Sequence, residues 1–120
     1  MARLSIAAFV GAVALAAGAA QAHHGWSSYS EQESQVSGVL EAAELGAPHG
    51  LLKVRTANGV WNVMLAPPAA IQRAGLTLDG LPKGARIVAK GHKRLDGTAE
   101  IKTERLTVGD RTYDLYPNRE

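Results

Sequence analysis

Two stretches of the 120-residue chain alternate apolar and polar residues and face each other across a turn signal. Leu52, Val54 and Thr56 alternate with Lys53 and Arg55, and Trp61, Val63 and Leu65 alternate with Asn62 and Met64; Asn58-Gly59 stands between them. A period of two places one set of side chains on one face of a strand. Asn-Gly is the strongest two-residue hairpin signal. The region therefore predicts a β-hairpin with one buried face, and the rest of the chain must be read around it.

Upstream, residues 36–45 carry a β-branched and apolar pattern with Gly38 inside it, and a glycine within a strand marks a bend or bulge. Gly46-Ala47-Pro48-His49-Gly50 reads as a loop. Downstream, Pro67-Pro68 ends the third strand, residues 69–74 suit a short helix closed by Gly75, and Asp79-Gly80 and Pro82 punctuate a connection. Ile87 and Ala89 alternate with Arg86 and Lys90 in a fourth strand running to about His92, with His92 on the outward face beside Lys90. Asp96-Gly97 is another turn. Ile101 and Thr103 then point one way, while Leu106 and Val108 continue that face out of step. One extra residue near Glu104-Arg105 repairs the register, which predicts a bulge there. After Gly109-Asp110, Tyr113 and Leu115 form a short closing strand. The order of elements is that of a small all-β, OB-like Greek-key barrel of five to six strands, with one short helix between strands three and four.

The chain begins differently. Arg3 is the sole charge in residues 1–22, residues 4–17 are mostly apolar, and Ala20-Gln21-Ala22 has the small-x-small form that signal peptidase reads. A membrane crossing takes about 20 apolar residues, and this run is shorter and alanine-rich. Residues 1–22 thus read as a cleavable signal peptide, 23–34 as an irregular arm and 35–120 as the barrel domain. The expected location is the periplasm, with no stable membrane anchor after processing. The chain has no cysteine, which excludes disulfides, thiolate metal sites, cysteine nucleophiles and a lipid-modified start. With Arg3 set aside, 12 basic residues face 11 acidic ones. That near balance speaks against a phosphate-backbone binder, so no nucleic acid is expected as a partner.

Histidine is the one concentrated chemical signal: His23, His24, His49 and His92. Cleavage after Ala22 would leave His23 with a free amine beside its imidazole, a pair that chelates one late transition metal. Cu(II) is favoured by the Irving–Williams order. His49 could add a second imidazole, His24 competes as a ligand, and Met64 offers a soft axial one. The plainer account of the pair is a solvated terminus. Ser27, Ser28, Ser30, Ser34 and Ser37 lack any nucleophile context, Asp96 and Asp110 suit turns, and Glu100 and Glu104 alternate with Lys102 and Arg105 as solvated cross-strand pairs. No enzyme is expected. A second functional reading is a binding module for a protein, peptide or small ligand, possible periplasmic partners included, using a barrel face or the Trp26 and Tyr29 arm.

The ordered motifs resemble a family of small exported bacterial proteins, domain of unknown function 6152. They are His23-His24-Gly25, Ala47-Pro48-His49, Trp61, Pro68, Arg73-Ala74-Gly75, the strand from Gly84 to Gly91, and Leu95-Asp96-Gly97. Gly25 stands where the family has Ser, Ala47 where it has Asn, Met64 where an acidic residue is typical, and Thr77 follows Leu76 where Trp-Thr is usual. The resemblance implies an exported OB-like domain and points to His23, His24 and His49, without supplying an activity.

Overall fold

A computed structural model describes residues 25–119. Residues 1–22, expected to be a signal peptide, and the histidines at 23 and 24 lie outside the described residues. Strand β1 spans Ser34–Glu44, β2 Leu51–Thr56, β3 Gly59–Met64, β4 Arg86–Lys93, β5 Glu100–Val108 and β6 Arg111–Asp114. Helix α1, Pro68–Ala74, and a 3₁₀ turn, Leu78–Gly80, lie between β3 and β4. The sheet order is β3-β2-β1-β4-β5-β6, antiparallel throughout. A parallel pairing of β3 with β5 closes it, Asn62 opposite Glu100 and Met64 opposite Lys102. Five strands thereby close into a barrel with its helix between strands three and four, and β6 extends β5 outside the ring. The expected OB-like architecture is the one observed.

The local predictions hold where their physics is local. Lys90 pairs with Arg105 and Gly91 with Thr103, so Glu104 is the extra residue of β5 and the bulge lies where the apolar faces fall out of step. A second bulge sets Glu41 between Leu40 and Ala42 on β1. The hairpin tip lies one residue earlier than Asn58-Gly59 suggests: Thr56 pairs with Gly59, leaving Ala57 and Asn58 in the loop. The left-handed conformation falls on Gly59, φ 100°, and among the described residues no non-glycine has positive φ. A type I′ tip needs positive φ at both loop positions; here glycine takes it at the strand entrance instead.

Leu40, Leu52, Val54, Val63, Ile87, Ile101 and Leu106 fill the barrel, each at most 2 % exposed. Each is worth roughly 1.5–3 kcal/mol relative to exposure. Leu65, Ile71, Leu76 and Leu81 extend this core beneath α1. The barrel's curvature depends on close backbone approach. A Cβ on Gly38 would stand 2.1 Å from the Arg55 carbonyl oxygen, and one on Gly91 1.9 Å from that of Lys102. No helix among the described residues is long and apolar enough to cross a membrane.

Candidate functional site

The arm ahead of β1 is fastened to the outer face of β4 and β5. Residues 25–28 form a turn, Tyr29 bridges Arg94, the Ser30 amide donates to the Lys93 carbonyl at 2.8 Å, and the Leu95 amide to that of Ser28 at 3.0 Å. After β6 the tail returns to the same face: the Leu115 amide donates to the Glu104 carbonyl at 2.8 Å, and Leu115 is buried. The arm and the tail thus cover one patch of the barrel.

Trp26 is the centre of that cover. Its ring meets His92 edge-on at 5.8 Å and Tyr116 at 5.1 Å between centroids. The Lys102 ammonium lies 4.7 Å from the indole centroid and the Arg119 guanidinium carbon 3.7 Å from it. Both are cation–π distances. Lys102 Nζ also donates to the Gly25 carbonyl at 2.9 Å. Burial, and then the charge of Arg119, hold the Lys102 ammonium below the usual lysine value, against a smaller opposing pull from Glu100.

Beneath Trp26 lies a buried ionisable pair. His92 Nε2 is 2.5 Å from Glu104 Oε1 and His92 Nδ1 is 2.8 Å from the Ser30 carbonyl oxygen. Arg119 Nε approaches the same carboxylate oxygen at 3.2 Å. These contacts correct two expectations. Glu104 and Lys102 are not solvated alternating charges, being 6 % exposed each, because arm and tail close over them. His92 does leave the core side of β4, but it is covered and 7 % exposed while Lys90 stays in solvent. At the arm's far end, the Tyr29 hydroxyl donates to Glu100 Oε2 at 2.5 Å, with Arg94 Nη1 3.4 Å from the same oxygen. Burial, then the Glu100 carboxylate, push the Tyr29 hydroxyl up to about 12.

Two clefts flank this knot. One, of about 720 Å³, lies between α1 and the tail, with Trp26, Arg73, Tyr116 and Arg119 among its walls. The other, of about 570 Å³, lies along the arm and includes Trp26, Tyr29 and Arg119. Trp26 and Tyr29, singled out from sequence, are therefore brought together around Lys102. His49 is half-buried in a third cleft, with Ala43, Glu44 and Leu78, that shares no lining residue with these two. Met64, also half-buried, pairs with Leu51 on one side and Lys102 on the other. Among the described residues, no group of three His, Asp or Glu side chains could hold a metal ion. Sequence reasoning missed Lys102, Glu104 and Arg119; their signal was the clustering of aromatic residues at both ends of the chain, Trp26 and Tyr29 against Tyr113 and Tyr116.

Comparison with curated proteins finds no match. The model of the Family of unknown function (DUF6152) matches residues 11–104, which takes in the arm and β1 to most of β5 and leaves β6 and the tail outside. The chain belongs to that family.

Proposed function

We propose that this chain is an exported, non-enzymatic binding module whose ligand seat is the cleft between α1 and the tail, with Trp26 as its wall. The single observation that carries the reading is the setting of Trp26: a large aromatic, half-buried, held by two cations and two aromatic neighbours, in the wall of an open cleft. A rigid aromatic wall with a few polar groups is the usual make-up of a small-molecule site, and 720 Å³ falls within the size of such sites.

The test is a fragment screen on the processed protein, read at the Trp26 indole N–H by NMR. Ligands of this seat shift Trp26 together with Ala69, Ala70 and Tyr116, and Trp26→Ala abolishes the response. Ligands that instead shift only the His49 cleft would overturn the assignment.

A second reading has its own supporting observation. The Lys102 ammonium anchors the Gly25 carbonyl, so the residue that follows the histidine pair has a fixed place on the barrel. We propose that, once cleavage after Ala22 frees the His23 amine, His23 and His24 take up Cu(II), with His49 as a further imidazole and Met64 as a candidate axial ligand. Titration of Cu(II) into the processed protein, with mass confirming His23 as its first residue, should give a stoichiometric nitrogen-rich tetragonal EPR signal. If His23→Ala and His49→Ala both leave copper affinity unchanged, the site as drawn is wrong.

A further inference from the structure

We propose that the cleft between α1 and the tail takes a small carboxylic acid with an aromatic body, its carboxylate held by Arg73 and Arg119 and its ring laid against Trp26 and Tyr116. This rests on the cleft reading above and adds the chemical class of the ligand. Charge is the first ground. Two guanidinium groups line the cleft, one from the last turn of α1 and one from the tail, and among the described residues no acidic side chain lines it. Arg73 is exposed and has no ion-pair partner among the described residues. Arg119 reaches Glu104 through Nε, yet that N–H is buried without an aligned hydrogen bond, and the side chain remains 39 % exposed. A guanidinium presents a planar fork of donors that matches a carboxylate. The Lys102 ammonium and the Arg119 guanidinium lie 4.7 and 3.7 Å from the Trp26 ring centroid, and after burial the charge of Arg119 is the second cause of the lowered Lys102 value, so an anion beside Trp26 meets a positive field.

The walls give the second ground. Ala69 and Ala70 leave a shallow apolar floor, while Trp26 and Tyr116, edge to face, supply aromatic surface. Such surfaces favour an aromatic ring in edge-to-face or offset-stacked contact. The lining comes from arm, helix and tail and includes no strand. An extended peptide would find no backbone edge to pair with, so the acid is a free small molecule and not the end of a protein.

The experiment compares phenylacetate with phenylacetamide at constant pH and ionic strength, on the ¹⁵N-labelled processed chain. The acid should move the Trp26 indole N–H and the Ala69 and Ala70 amides in a saturable way, and bind at least about tenfold more tightly than the amide, the ratio expected of one charge-assisted hydrogen bond pair. Arg73→Gln, on an exposed helical position, should remove most of that difference. Equal binding of acid and amide, insensitive to Arg73→Gln, overturns the anion seat and leaves the cleft reading standing. No response at Trp26 to either probe overturns both. Much tighter binding of a peptide ending in phenylalanine with a free carboxylate, lost on amidation, overturns the free acid in favour of a chain terminus.

Discussion

The proton between His92 and Glu104 can be placed by counting donors. The Ser30 carbonyl only accepts, so His92 Nδ1 carries a hydrogen in their 2.8 Å contact. Nε2 then faces a carboxylate oxygen at 2.5 Å, and two acceptors cannot share that distance without a proton between them. Whether written as imidazolium with carboxylate or as imidazole with carboxylic acid, one proton lies between Nε2 and Oε1. The Nδ1–H and the proton shared by Nε2 and Glu104 should accordingly appear as two slowly exchanging, downfield resonances; absence of the shared proton contradicts the arrangement. The same arithmetic sets the effect of Glu104→Ala. It strands His92 and the Arg119 N–H against a covered face, and removal of one partner from a buried pair costs about 3–5 kcal/mol. Urea unfolding should register a loss of that size, with Glu104→Gln losing less because its amide oxygen still accepts. A loss below about 1 kcal/mol would mean that water already reaches the pair.

The arm is an element without regular structure, and a few polar contacts decide whether it stays docked. Tyr29 carries the one whose titration has a clear sign. Its hydroxyl is raised from 10.0 to about 12 by burial and by Glu100, so the folded molecule favours the neutral phenol. The contribution is whole below pH 10 and is lost as pH rises from 10 through about 12. Lys102 acts in the opposite sense. Held below 10.5, it favours the fold only once it is neutral, so its contribution appears on raising pH and is lost as pH falls through its lowered value. Trp26 emission should therefore report arm release above pH 10, and Tyr29→Phe should remove that step; an unchanged profile in Tyr29→Phe would assign the release to another group. Elements of this kind explain which parts of the molecule were legible. The hairpin, the short helix and the Glu104 bulge follow from period, turn residues and a slip in register, all local. The cover over Lys102 does not. Its hydrogen bond to Gly25 spans 77 positions, and from within β5 the run Glu100, Lys102, Glu104 looks like any solvated strand face. The tail's share of the site was hidden for the same reason, since Arg119 acquires its place only through contacts with Trp26 and Glu104.

At the scale of the whole molecule, the barrel depends on a seam that no turn announces. β3 and β5 meet in parallel over three residue pairs, Asn62–Glu100, Val63–Ile101 and Met64–Lys102, whereas β1–β4 and β2–β3 each pair over six. Element order alone implied closure, through its match to an OB barrel, but not which residues would touch. Parallel pairing is slightly weaker per residue than antiparallel, and here it is also the shortest join in the ring. The barrel should therefore open first at this seam, in a sub-global event below the free energy of complete unfolding. The Asn62 amide, which donates to the Ala99 carbonyl at 2.9 Å, should exchange with solvent at a lower opening free energy than the amides of the β1–β4 pairing. Ile101→Ala removes a fully buried side chain from the seam and should cost about 2–5 kcal/mol. Lys102 ties this event to the candidate site, because the residue opposite Met64 at the seam also holds Gly25. Loosening the arm should loosen the seam, so Trp26→Ala should lower Asn62 protection while leaving the β1–β4 amides as they were. Exchange of Asn62 only through global unfolding, in both proteins, would show that the ring opens as one unit and that the arm does not reinforce its weakest join.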